Sequence, residues 1–252
     1  MLPYFILSIV LFISQMYYEP PAIPVNGYSM VWQDEFNGSK LDLTKWNFRG
    51  TGKRDNTFIV PWTVKLDGNG CLVMSAIKRN DSVFTSMIAT EHIKEFTYGY
   101  FECRAKFART PGTISAFWLQ SKTISGPGST PEKNGAEIDI FEFFPHANTT
   151  HVFHTLHWGG YQPGQHKVEG PVLGKLEPSG NDFHVIGMEW HKNGYTLYVD
   201  GKMTYSGNQF VSHVNEFMVL SLGVNELSAG PLKESMLPDQ FIVDYVRVYK
   251  KQ

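Results

Sequence analysis

Residues 135–144 read GAEIDIFEFF, which sets Glu137, Asp139 and Glu142 in a run that otherwise has the composition of a protein interior. Ionised carboxylates are costly to bury unless pairing, a shifted pKa or a chemical task compensates. Two glutamates flanking an aspartate can do acid–base and nucleophilic work on a single bond. With carboxyl groups roughly 5 to 5.5 Å apart, one attacks the anomeric carbon of a sugar while the other protonates the departing oxygen and then deprotonates water. The same three acids on an ordinary strand would be a solvated face, so the surrounding elements decide between the two.

A helix cannot collect them, because two residues advance a helix by roughly 200° and send Glu137 and Asp139 to opposite sides. A strand puts Glu137 and Asp139 on one face and Ile138 and Ile140 on the other, which leaves Glu142 with the wrong parity. One inserted residue at Ile140 or Phe141, a β-bulge, returns Glu142 to the face of the other two, and bulges are over-represented beside active sites for this kind of re-aiming. Asp139, between two like charges, can then share a proton or hydrogen bond with a neighbour and raise its pKa.

The rest of the chain fits a strand reading. Short apolar or alternating runs include YSMVWQDEF (28–36), CLVMSAIK (71–78), YGYFECRAKF (98–107), ISAFWLQS (114–121), HVFHTLHW (151–158), FHVIGMEWH (183–191), YTLYVDGKMTYS (195–206), EFMVLSLGV (216–224) and FIVDYVRVYK (241–250), separated by turn residues. This spacing predicts an all-β sandwich or barrel, and about 250 residues fit one such domain. At most a helical turn is expected at 43–46, after Asp42. Two Gly/Pro-rich stretches, 126–135 and 157–182, read as surface loops.

Composition narrows the partners. The chain is 42% hydrophobic and 14% aromatic with a formal charge of −2, enough for a large core and a ring-lined groove. Its basic residues are scattered, which argues against nucleic acid or an anionic membrane and favours neutral polymers such as sugars. The apolar run 2–13 is short for a membrane span and suits a signal-peptide core, although no Lys or Arg precedes it; a Pro-rich tether follows. An exported protein is expected, with an uncleaved anchor as the alternative. Cys71 and Cys103 are expected as two buried thiols, with a disulfide as the lesser alternative. His151, His154 and His157 form H-x-x-H-x-x-H, but on a strand His154 points away from the other two, so a catalytic metal is not expected.

EIDIFE resembles the E-x-D-x-x-E signature of glycoside hydrolase family 16. VWQDEFNGSKLDLTKW (31–46), YGYFECRAKF, GTISAFWLQ (112–120), FHVIGMEWHKNGYTLYVDG (183–201) and DYVRVYK (244–250) resemble other segments of that family, in order, from about residue 28 to 250. The resemblance implies a two-sheet antiparallel β-jelly-roll sandwich, concanavalin-like, with a concave substrate cleft. Residues 1–26 are then the leader and tether, and 27–252 the catalytic domain. Glu137 would be the nucleophile, Asp139 its hydrogen-bonding neighbour and Glu142 the acid/base. Trp118, His157, Trp158 and Trp190 match positions near the sugar subsites. Asp244 matches a ligand of a structural Ca²⁺ in many members; no cofactor is required for catalysis. A monomer acting on a polysaccharide or oligosaccharide is implied.

The chain departs from the laminarinase pattern at subsite positions. It carries DNTFIVPWTV in place of N-E-x-Q-Y-Y, ISAFW in place of W-P-A-F-W, and Ser221 where many β-glucanases place an Asn. The expected activity is a retaining endo-glycosidase, first for a β-1,3- or β-1,3-1,4-glucan, with a β-linked galactan or host glycan next. A non-catalytic lectin-like sandwich is the rival of another class, and a transglycosylase would use the same residues with a sugar as acceptor.

Overall fold

A computed structural model describes residues 26–54, 57–125, 128–146, 149–177 and 182–252. The leader expected over 1–26 lies, apart from Asn26, outside the described residues. None of the described helices is long and apolar enough to cross a membrane.

Period-2 burial marks strands such as Leu72–Arg79, where Leu72, Met74 and Ala76 are fully buried while Val73, Ser75 and Ile77 are not, whereas the central Thr113–Ser121 and Glu216–Val224 are buried almost throughout. The alternating strands bury one face, and the chain stacks two antiparallel layers to cover it. One layer orders Lys202–Gly207, Gly194–Val199, His184–His191, Gly99–Lys106 and Asp239–Lys251. The far edge of that last strand is shared by Leu72–Arg79 and Tyr28–Asp34. The other layer orders Lys167–Lys175, His151–Trp158, Glu137–Phe143, Thr113–Ser121, Glu216–Val224 and Ser82–Ala89. The hairpin from Leu72 to Ala89 turns at Asn80 and carries the chain from the first layer to the second. Between the layers lies one large core that includes Phe101, Cys103, Phe117, Ile138, Phe141 and Trp190. The molecule is the expected all-β sandwich.

Several boundaries differ from expectation for local reasons. YTLYVDGKMTYS is two strands, because Asp200 and Gly201 both take positive φ (49° and 76°) and close a two-residue hairpin. The stretch 157–182, expected as loop, contains the strand Lys167–Lys175. Gly170 and Pro171 sit at its irregularity opposite the 154–156 segment, and the strand lies at the edge of its layer, the place where a sheet tolerates proline. Around 43–46 only a turn forms, closed by Trp46 N–H to Asp42 O at 3.0 Å. Cys71 and Cys103 are both free thiols.

Candidate active site

The register of Glu137–Phe143 carries the irregularity that the acid spacing calls for. Against Thr113–Ser121, Glu137 pairs with Gln120 and Asp139 with Trp118, Ile140 is skipped, and Phe141 and Glu142 pair with Phe117 and Ala116. Since Gln120, Trp118 and Ala116 alternate on one face of their strand, their partners Glu137, Asp139 and Glu142 share that face as well. On the other side, residues 140 and 141 together oppose His154. The three acids line one cavity of about 440 Å³, whose floor also includes Ala116, Trp118 and Ser221. Beside it a second hollow of about 410 Å³, lined by Arg49, Arg54, Gln120 and Tyr161, continues the groove past Glu137 and Trp118.

Each acid has a different environment. Glu137 Oε2 accepts from Gln120 Nε2 at 3.0 Å and from the Tyr161 hydroxyl. Gln120 is in turn held by Arg49, whose Nη2 donates to its Oε1 at 2.5 Å and whose Nε pairs with Glu91 at 3.1 Å. Asp139 is buried, and burial together with the Glu137 charge pushes its carboxyl well above the usual range. Its Oδ2 lies 3.2 Å from His157 Nε2, and His157 Nδ1 lies 2.9 Å from His166 Nε2. Burial, then the charges of Asp139 and Glu137, push Glu142 up to about 9, with His157 pulling the other way. Glu142 thus holds its proton to a higher pH than a free carboxyl, in the same cavity as Glu137.

The remaining residues singled out from sequence divide. Trp118 lines both hollows, with Nε1 donating to Ser221 Oγ at 3.1 Å and the Arg49 guanidinium 5.5 Å from its ring centre. His157 lines the cavity beside Asp139. Trp158 and Trp190 lie in the core and not, as expected, in the groove. Trp158 follows His157 on a strand, so it must point the other way, and it stacks on Phe210 in the core with ring centres 4.3 Å apart. Trp190 is fully buried and donates to Ser212 O at 3.0 Å. Neither offers a face to a sugar.

Asp244 Oδ2 accepts from Arg104 Nη1 at 2.5 Å, so one of the two oxygens of the residue matched to a structural Ca²⁺ ligand is engaged by a cation of the chain itself. Among the described residues the one group of His, Cys, Asp or Glu atoms close enough to hold a metal is Glu137, Asp139 and His157, within the groove itself. His151, His154 and His157 do not converge, since His154 turns into the core.

Gln120, Tyr161, Arg49 and His166 were not singled out by sequence. Gln120 was within reach of parity, lying two residues from Trp118 on the same strand. Tyr161 and His166 arrive from a loop whose path no periodicity encodes.

The profile described as "Beta-porphyranase A-D, GH16 domain" matches residues 30–251. The chain is 28% identical over 247 residues to a keratan-sulfate endo-1,4-beta-galactosidase of Sphingobacterium multivorum, covering 90% of this chain and 56% of that protein. It is also 28% identical over 273 residues to a glucan endo-1,3-beta-glucosidase A1 of Niallia circulans, covering 92% and 39%. The chain thus spans about half the length, or less, of these curated relatives. Among solved structures it superposes on the laminarinase catalytic domain from Thermotoga maritima MSB8 with a TM-score of 0.75 at 26% identity, covering 89% of this chain and 99% of that one. With a profile match over most of its length and the acidic signature on one bulged strand, the chain belongs to glycoside hydrolase family 16.

Proposed function

We propose that the protein is a retaining endo-glycosidase that hydrolyses internal β-linkages of a polysaccharide by double displacement. The observation that carries this is the bulge at Ile140, which turns Glu142 onto the face of Glu137 and Asp139. Glu137 attacks the anomeric carbon as Glu142 gives its proton to the leaving oxygen; a glycosyl ester forms on Glu137 and one sugar chain departs. Glu142, now ionised, takes a proton from water, whose oxygen displaces the ester and restores the original anomeric configuration. Gln120 and Tyr161 position the Glu137 carboxylate, and Asp139, buried beside it, tunes the pair. Trp118 supplies the stacking surface. No metal or cofactor has a part in these steps.

A β-1,3- or mixed-linkage glucan is the first substrate to test, as the glucanase relatives suggest. A β-linked galactan is a second reading with its own support. The matching profile is that of β-porphyranases, one relative cleaves keratan sulfate, and Ser221 departs from the glucanase Asn. Arg54, exposed between the two hollows, has no ion-pair partner among the described residues, and a free guanidinium suits an anionic substituent on a sugar. A panel of glucans, galactans and sulfated galactans, read by new reducing ends and product masses, separates the readings. Products whose newly formed anomer is β by NMR support retention; an α product, or binding without turnover on every polymer, would overturn the hydrolase. The apolar run 2–13 supports export, which fractionation of cells expressing the full chain would check; sedimentation should give a monomer.

A further inference from the structure

The bulge leaves a carbonyl to be accounted for. The extra residue of a bulge is left unpaired in the ladder, and a buried C=O without a partner is destabilising. Ile140 is that residue, and its side chain is fully buried. Its carbonyl oxygen lies 2.5 Å from Nδ1 of His154, a buried side chain on the neighbouring strand. A carbonyl can only accept, so Nδ1 carries the proton, and Nε2 faces the Thr204 hydroxyl of the opposite layer at 3.3 Å. The slot is cut for an imidazole: a Cβ at Gly174 would stand 2.6 Å from His154 Nε2 and 2.7 Å from Val199 Cγ2. Burial pushes the imidazole down to about 4, so it stays neutral and keeps a single N–H.

Two registers compete for this strand. A regular ladder would return the Ile140 carbonyl to a strand partner but rotate Glu142 into the core position that Phe143 fills, whereas the bulged one keeps Glu142 in the groove and needs a donor for that carbonyl. We propose that His154 is a positioning residue of the active site: its Nδ1–H holds the Ile140 carbonyl, pins the bulge and keeps Glu142 in phase with Glu137 and Asp139. The inference rests on the hydrolase reading for its effect on turnover, not for its effect on the strand.

Asparagine and glutamine separate the two imidazole nitrogens, since the Asn amide falls near Nδ1 and the Gln amide near Nε2. In His154→Leu and His154→Gln, kcat should fall roughly 10- to 100-fold with KM within about twofold, because the acid is misplaced while the stacking surface stays. His154→Asn should keep most of kcat. In ¹⁵N-labelled protein, backbone amides of 139–143 should move in the Leu and Gln variants and stay in Asn, and long-range ¹H–¹⁵N spectra of the wild type should show the Nδ1–H tautomer. Wild-type kcat in His154→Leu, equal Asn and Gln variants, or an Nε2–H tautomer would each overturn the proposal. If the Leu variant does not fold, the Asn–Gln comparison still decides. If the wild type cleaves no glycan the hydrolase reading fails, while the amide shifts still test the bulge.

Discussion

The two outer faces of the sandwich each bury carboxylates, and burial pushes them up on both, but the groups that surround them differ. Behind the core, Glu102 accepts from the Tyr100 hydroxyl at 3.2 Å and lies near Arg247, which itself grips Glu35 through two contacts of 2.8 Å. Its strand pairs with His184–His191 without any shift of register. In front, Glu137, Asp139 and Glu142 face one another across a bulge, and among the described residues no Lys or Arg forms an ion pair with any of them. Where tyrosines and a guanidinium surround a buried acid it is a structural fixture. Where a buried acid also faces other acids, their charges add to the upward push of burial, and the proton it keeps is open to the groove.

The sharpest break of this comparison is to neutralise the front acids. Glu137→Gln should abolish turnover in a reducing-end assay, since no ester can form. Glu142→Gln should lower kcat by roughly 10²- to 10⁴-fold on substrates with poor leaving groups, and should remove the loss of wild-type activity expected as pH rises through about 9. The same variant sharpens the contrast in stability. Glu142 has an unfolded value of 4.5 and a folded value of about 9, so the wild type loses stability as pH climbs from the first to the second. Glu142→Gln, which cannot titrate, should therefore melt higher than wild type at pH 8, with the gap closing toward pH 4.5 in a thermal scan.

Smaller effects separate groove from core. Trp118→Ala should raise KM by roughly 3- to 10-fold, from about 0.5–1.5 kcal/mol of lost stacking. Trp190→Ala should cost about 3–5 kcal/mol of stability in urea unfolding, as core truncations do, and any survivor should retain KM. Glu102→Gln should leave kcat and KM within about twofold in the reducing-end assay. The smallest effect expected is none: with Asp244 held by Arg104, added Ca²⁺ or EDTA should not move the melting temperature.

What the sequence discloses follows from period and parity. The acids at 137, 139 and 142 demand a bulged strand, and the structure has the bulge at Ile140, one of the two positions that parity allows. The same rule applied one strand further would have removed Trp158, because consecutive residues His157 and Trp158 cannot both look into the groove. Trp190 fails for a related reason, lying between the less buried Glu189 and His191 on a strand whose other face is interior. Tyr161 and His166 were out of reach, since a glycine-rich loop places them by its three-dimensional path. The edge strand Lys167–Lys175 hid behind its own Gly and Pro. Arg104, the partner of Asp244, stands 140 residues away in the chain, a separation across which spacing carries no information.

The strand Asp239–Lys251 has a consequence for how the molecule comes into being. It lies in the middle of its layer, bonded to Gly99–Lys106 on one side and to Leu72–Arg79 and Tyr28–Asp34 on the other, with Tyr28 opposite Lys251. During synthesis, early segments must wait with unfilled edges until residue 251 clears the ribosome, so the layer closes only after translation has passed it. A nascent chain stalled short of that point would present open β-edges to its neighbours, and chaperone demand in a cell making this protein should track the time spent in that interval.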